Sequence, residues 1–161
     1  MRKPTRHSNF DYNSIGAYFL TICTKDKKRI LSKIVGDDVL DVPKIVLTRY
    51  GEIVDKYIKQ LSGFYKNASV DSYVIMPNHI HLILVVMDSG ASGTSHSSRQ
   101  HSFVSWFVSS FKRFCDKEFG ENVWQRGFFD HIIRNRHDYD EHIKYICDNP
   151  DHWLYDDFYV E

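Results

Sequence analysis

The chain alternates between short runs of β-forming residues and longer stretches with apolar positions at helical spacing. Ala17-Tyr18-Phe19-Leu20-Thr21-Ile22-Cys23-Thr24, bounded by Gly16 and by charged residues, predicts a first strand. From Lys44 the apolar positions shift to a helical period, with Tyr50, Ile53, Val54, Tyr57, Ile58 and Leu61 forming one stripe before Gly63, so a long amphipathic helix is expected. Residues 70–76 and 79–87 read as two strands of a hairpin. Pro77-Asn78 suits the turn between them, because proline presets φ and asparagine tolerates left-handed geometry. Helical spacing returns over 103–119, where Phe103, Phe107, Phe111 and Phe114 lie near one face. Residues 123–134 are aromatic and basic, with a period that fits neither class. A last helix is expected from Asp138, with Glu141 three residues on as an approximate capping box, to Asn149, where Pro150 stops the ladder.

The stretch 88–102 is rich in Ser and Gly and holds no large apolar residue, so it reads as a flexible loop within one domain spanning residues 1–161. That length suits a single core. With 21 basic and 21 acidic residues the formal net charge is zero, so any anionic partner must be drawn by a local patch. No run approaches a membrane span and the N-terminus lacks the apolar stretch of a signal peptide, which gives a cytoplasmic protein with no membrane partner as the expectation. Cys23, Cys115 and Cys147 form no close pair and read as buried thiols.

His79-Ile80-His81 sets two imidazoles on one side of a strand, while Ile80, Leu82, Leu84 and Val86 point to the other. On the last helix Tyr139, Ile143, Ile146 and Cys147 share one side. Asp138, Glu141, His142, Tyr145 and Asn149 share the opposite one, which leaves Tyr145 off the core stripe and in line with Asn149 one turn on. If that face docks over the histidines, it gathers two nitrogen ligands, one oxygen ligand and a nucleophilic hydroxyl. A divalent ion held in this way acts as a Lewis acid on a phosphodiester. A zinc site drawing on Cys115, Cys147, His131 or His142 is the competing use of the same histidines, although no compact zinc spacing is present.

Three motifs in order, Met76-Pro77-Asn78-His79-Ile80-His81-Leu82, then Trp124-Gln125-Arg126 with Phe129-Asp130-His131 and Ile133-Arg134-Asn135, then Tyr145-Ile146-Cys147-Asp148-Asn149-Pro150, resemble the single-tyrosine HUH transposases. Among these the chain is most similar to the branch of REP-associated tyrosine transposases, over about residues 12 to 153. The resemblance implies an α+β, ferredoxin-like fold: a central antiparallel sheet with helices packed on it and a C-terminal helix carrying the nucleophilic tyrosine. It implies a metal-dependent enzyme that cleaves and rejoins single-stranded or hairpin DNA through a 5′-phosphotyrosine. Its nucleophile would be Tyr145, its ligands for Mg²⁺ or Mn²⁺ His79, His81 and Asn149, the last standing where relatives often have glutamine. Relatives divide between monomers and homodimers that exchange the tyrosine helix, and the monomeric form is the expectation here. A zero net charge asks for a local phosphate track, drawn from Arg2, Lys3, Arg6, Lys112, Arg113, Arg126, Arg134 and Arg136; Arg126, Arg134 and Arg136 are favoured because they flank the motifs. A DNA-hairpin-binding module of the same fold, without turnover, is the alternative function.

Overall fold

The computed structural model describes residues 15–36, 42–87 and 103–160. Its strands are β1 (Gly16–Cys23), β2 (Ser32–Val35), β3 (Lys44–Leu47), β4 (Ala68–Ile75), β5 (His79–Val86) and β6 (Phe129–Ile133). Its helices are α1 (Arg49–Phe64), α2 (Phe103–Phe119) and α3 (Arg136–Asp148), and two 3-10 segments, Lys25–Lys27 and Asn149–Tyr155, follow β1 and α3. A four-stranded antiparallel sheet runs in the order β4-β5-β1-β6, and β2 and β3 pair separately. With that β2–β3 hairpin set aside as an insertion before α1, the chain follows the strand–helix–strand–strand–helix–strand path of a ferredoxin-like fold, as expected.

Alternation along the two central strands divides the core. Tyr18, Leu20 and Ile22 of β1 and Ile80, Leu82 and Leu84 of β5 are buried in a cluster with Val54 and Ile58 of α1 and Phe107 and Phe111 of α2. On the opposite face Met76 and Ile83 pack with Ile146 of α3 and Trp153 of the final segment. The sheet is therefore covered on both sides, and α3 with the C-terminal segment lies on the side to which His79 and His81 point.

Several boundaries differ from the sequence reading. Residues 44–47, assigned to the start of the long helix, form β3 instead. The helix begins after Thr48, which has an extended backbone and accepts the Gly51 N–H at 3.2 Å. The last helix starts at Arg136, two residues before the expected cap. Asn135 takes the capping role, accepting the Asp138 N–H at 2.9 Å, while the Asp138 carboxylate accepts the Arg134 N–H at 2.9 Å. Asparagine caps as well as aspartate does, so two candidates three residues apart competed. Cys23 and Cys115 are buried as expected, but Cys147 is exposed: one residue past Ile146 it has turned about 100° away from the apolar face. The flexible-loop reading of 88–102 and the N-terminal cations Arg2, Lys3 and Arg6 lie outside the described residues.

Gly51 fixes how closely α1 approaches the segment before β2. A Cβ at this position would lie 2.0 Å from the Leu31 carbonyl oxygen, which is backbone and cannot swing aside. Glycine inside a helix ordinarily costs up to about 1 kcal/mol relative to alanine, so Gly51→Ala on an unobstructed helix would stabilise. Here the clash reverses the sign, and the expected result is a loss of roughly 2 kcal/mol or more, read as a lower urea midpoint at unchanged m-value.

Candidate metal and nucleophile site

The β4–β5 turn is built around Asn78. Backbone bonding closes it from the Met76 N–H to the His79 carbonyl at 2.9 Å. Asn78 is not left-handed, since Asp26 and Lys27 are the only non-glycine residues with positive φ among those described. Its value lies in the side chain. The amide N–H groups donate to the carbonyls of Phe158 at 2.8 Å and Lys27 at 3.3 Å, which leaves Oδ1 to accept from His79 Nδ1 at 2.8 Å. With its proton fixed on Nδ1, His79 presents a bare lone pair on Nε2. His81 Nδ1 lies 2.8 Å from the hydroxyl of Thr21, its register partner on β1.

The two Nε2 atoms converge to 3.0 Å. Both rings are buried, and burial above all pushes each pKa down to about 3; for His81 the neighbouring His79 adds to the effect. Neutral imidazole is the state that binds metal.

Tyr145 stands edge-on to His81, with ring centroids 5.1 Å apart, and also meets Phe19 at 5.9 Å. The residue is 44% exposed, which leaves it open to solvent. Partial burial raises its pKa, with the carboxylates of Asp156 and Asp157 adding to the shift and Asn149 opposing it. A cleft of 380 Å³ opens here, lined by Phe19, Thr21, His81, Glu141, His142, Tyr145 and Phe158.

Asn149 is buried where α3 passes into the 3-10 segment, and it lies near enough to His79 to favour that ring's protonated form. Its Nδ2 donates to Asp156 at 3.0 Å, and its Oδ1 is buried with no hydrogen-bond partner. An orphaned buried oxygen beside two neutral imidazoles whose Nε2 atoms converge is a donor set that a divalent cation fits. The ligand atoms of His79, His81 and Asp156 also lie within 4.8 Å of one another.

The remaining site residues are dispersed. Arg126, Arg134 and Arg136 are exposed; the Arg136 guanidinium pairs with Asp140 at 2.9 Å and lies over the Tyr139 ring. Lys112 donates to the carbonyls of Gln125 and Gly127 at 2.7 and 2.5 Å and its pKa is lowered by burial to about 8, so it braces the 124–127 segment. Arg113 lines a groove between α1 and α2 with Trp106 and Phe114, on the sheet face away from the histidines. Cys115 is buried in that same far core, and Cys147 is exposed, so neither supports the zinc alternative. His131 and His142 stack and share Asp138.

Sequence reasoning did not single out Thr21, Asn78 or Asp156 as site residues. Thr21 needed the β1–β5 register. Asn78 was visible only as a turn former. Asp156 is seven residues beyond Asn149, a spacing that becomes meaningful once the chain is seen to stay helical through Pro150.

No protein-family profile matches the chain. It is 26% identical over 148 residues to a putative REP-associated tyrosine transposase of Haemophilus influenzae, covering 87% of this chain and 73% of that one. It is 31% identical over 81 residues to the REP-associated tyrosine transposase of Escherichia coli K12, covering 50% and 43%. Its fold matches that of a REP-associated tyrosine transposase solved bound to a REP hairpin, with a TM-score of 0.63 and 21% identity over 93% of this chain and 73% of that one. These relatives and that fold make the chain REP-associated tyrosine transposase-like.

Proposed function

We propose that this chain is a metal-dependent DNA transposase that cleaves and rejoins single-stranded or hairpin DNA with Tyr145 as nucleophile. The observation that carries the reading is the convergence of two buried imidazole Nε2 atoms 3.0 Å apart beneath a half-exposed tyrosine ring. His79 and His81, with the Asn149 oxygen, would hold Mg²⁺ or Mn²⁺. Such an ion would supply Lewis-acid polarisation of a phosphate oxygen and offset charge developing on the phosphoryl group.

The protein's own groups account for the rest. Tyr145 Oη attacks the scissile phosphorus, the bond from phosphorus to the 3′ oxygen breaks, and that oxygen leaves with a proton as a 3′-hydroxyl. A 5′-phosphotyrosine remains, and attack on it by a 3′-hydroxyl restores the diester and returns the phenol. Because the Tyr145 pKa is raised, its phenol is protonated near neutral pH and must lose that proton during attack. Phe19 and His81 hold the ring by edge contacts, which orients the hydroxyl while leaving it open to a macromolecular substrate. Ile143 and Ile146 anchor α3 on the chain's own sheet, which supports a monomer that keeps its tyrosine helix. Arg126, Arg134 and Arg136 would contact the backbone phosphates.

The direct test mixes the full chain with labelled hairpin oligonucleotides and Mn²⁺, then looks for label surviving on the protein in denaturing electrophoresis. Wild type is expected to give a metal-dependent adduct, and Tyr145→Phe to lose it by roughly a thousandfold or more while binding DNA within about twofold of wild type. Binding by both without any adduct would instead identify a hairpin-binding module. Replacing Arg126, Arg134 and Arg136 by alanine should weaken DNA binding across sequences and flatten the slope of log affinity against log salt by about 1 for each phosphate that is no longer neutralised.

The imidazoles also set an acid response. Their folded pKa of about 3 lies below the unfolded value, so the unfolded chain binds more protons between about pH 6.5 and 3. Their contribution is complete above pH 6.5 and is lost as pH falls towards 3, by up to about 1.4 kcal/mol per pH unit per ring. Urea unfolding with chelator present should therefore show a shallower loss between pH 6.5 and 4.5 in the His79→Gln, His81→Gln double variant than in wild type.

A further inference from the structure

The C-terminal 3-10 segment brings Asp156 under the site. Its carboxylate is 1% exposed, with Oδ2 lying 3.8 Å from His79 Nε2 and accepting the Asn149 amide N–H at 3.0 Å. Oδ1 accepts the Phe158 N–H at 2.7 Å. That turn explains one oxygen only, since a turn-forming aspartate can fulfil it at the surface. No lysine or arginine pairs with this carboxylate among the described residues, and the histidine it approaches has its ring proton on the far nitrogen, held by Asn78. A buried carboxylate flanked by neutral rings is unfavourable unless a cation joins it. The buried and unpartnered Asn149 oxygen beside it points to the same missing cation.

We propose that Asp156 is the anionic ligand of this centre, joining the two imidazole nitrogens and the Asn149 oxygen with one carboxylate oxygen, while the Asn149 amide N–H positions that carboxylate. The inference rests on the metal reading above and adds to it the residue that supplies negative charge. It changes the chemistry of the centre. Two histidines and an amide form a neutral site of modest attraction for hard ions, whereas a carboxylate directs it towards oxygen-preferring Mg²⁺ and Mn²⁺. It also places one ligand outside the strand and the tyrosine helix, so the site is complete only when the segment after Pro150 is folded back against β5.

The test is Mn²⁺ binding to the full chain without DNA, followed by the paramagnetic resonance of free Mn²⁺, in wild type, His79→Gln, Asp156→Asn and Asp157→Asn. Asp157 is the exposed neighbour and controls for the general loss of a nearby charge. One site that His79→Gln abolishes, weakened roughly tenfold or more by Asp156→Asn and less than twofold by Asp157→Asn, is the expected result. Equal affinity in Asp156→Asn and wild type, with His79 still required, overturns the role of Asp156 and leaves the metal reading standing. No His79-dependent Mn²⁺ site in wild type overturns both. If Asp156→Asn does not fold, the wild-type chain with ¹³C-labelled aspartate carboxyls decides, because a bound carboxylate gives a resolved ¹³C coupling to Mn²⁺ and its absence rejects the proposal.

Discussion

Asn78 has every side-chain hydrogen-bonding group engaged within the protein. One amide proton goes to the loop after β1, the other to the C-terminal segment, and its oxygen to His79. These bonds couple three stretches distant in sequence. The first ties the turn to the 3-10 segment at Lys25–Lys27, where the Thr24 N–H and hydroxyl also reach the Asn78 carbonyl. The second draws Phe158 over the His79 ring, with centroids 4.7 Å apart. The third settles which nitrogen of His79 carries its proton. Aspartate here would lack the amide protons for the two carbonyls, and alanine would release both segments and the ring together. Tautomer and tertiary closure are thus outcomes of one amide.

Burying two imidazoles on a central strand has a cost that the fold meets only in part. Each Nδ1 has a partner, but the Nε2 atoms face each other, and in the protein alone one must donate to the other. His79 cannot be the donor, because its proton is held at Nδ1. His81 therefore donates from Nε2, and Thr21 must then give its hydroxyl proton to His81 Nδ1. Binding of a cation at both Nε2 atoms requires the reverse arrangement, with the proton on Nδ1 of His81 and Thr21 accepting. A threonine hydroxyl rotates between the two roles without moving a heavy atom, which suits it to this position in a way that an amide or a carboxylate would not.

The elements with strong periodicity were legible in sequence. The β4–β5 hairpin, the helix over 103–119, and the separation of Tyr145 from the core stripe all follow from spacing, because burial on one face imposes it. What was not legible was short, shared or non-local. Four-residue strands such as β2 and β3 have too few positions for a period, and β3 stands next to a helix whose pattern absorbed it. The 123–134 stretch was ambiguous because only 129–133 is a strand, and it is an edge strand whose middle residues are half-buried on both faces. At the site, the two histidines, Tyr145 and Asn149 carry motif signals, whereas Thr21 and Asp156 act through register and chain reversal, which no local pattern encodes.

Such non-local contributions explain how a chain of zero net charge can carry this site. A basic protein draws polyanions with its whole field, but that field falls off within about 10 Å at moderate salt and does little to align a phosphodiester with a nucleophile. Alignment requires fixed groups in a partly desolvated place. The sheet supplies these by setting the imidazoles two residues apart on one strand, with Phe19 from the next strand beside them and α3 above. Local charge then matters more than the total. Partial burial, with the carboxylates of Asp156 and Asp157 adding to it, raises the Tyr145 pKa, and the same carboxylates would repel a phosphate arriving alone. In the proposed reaction a cation at the histidines would reverse both effects at once, favouring the ionised phenol and attracting the phosphate, which would confine reactivity to the complex in which ion and strand are both present.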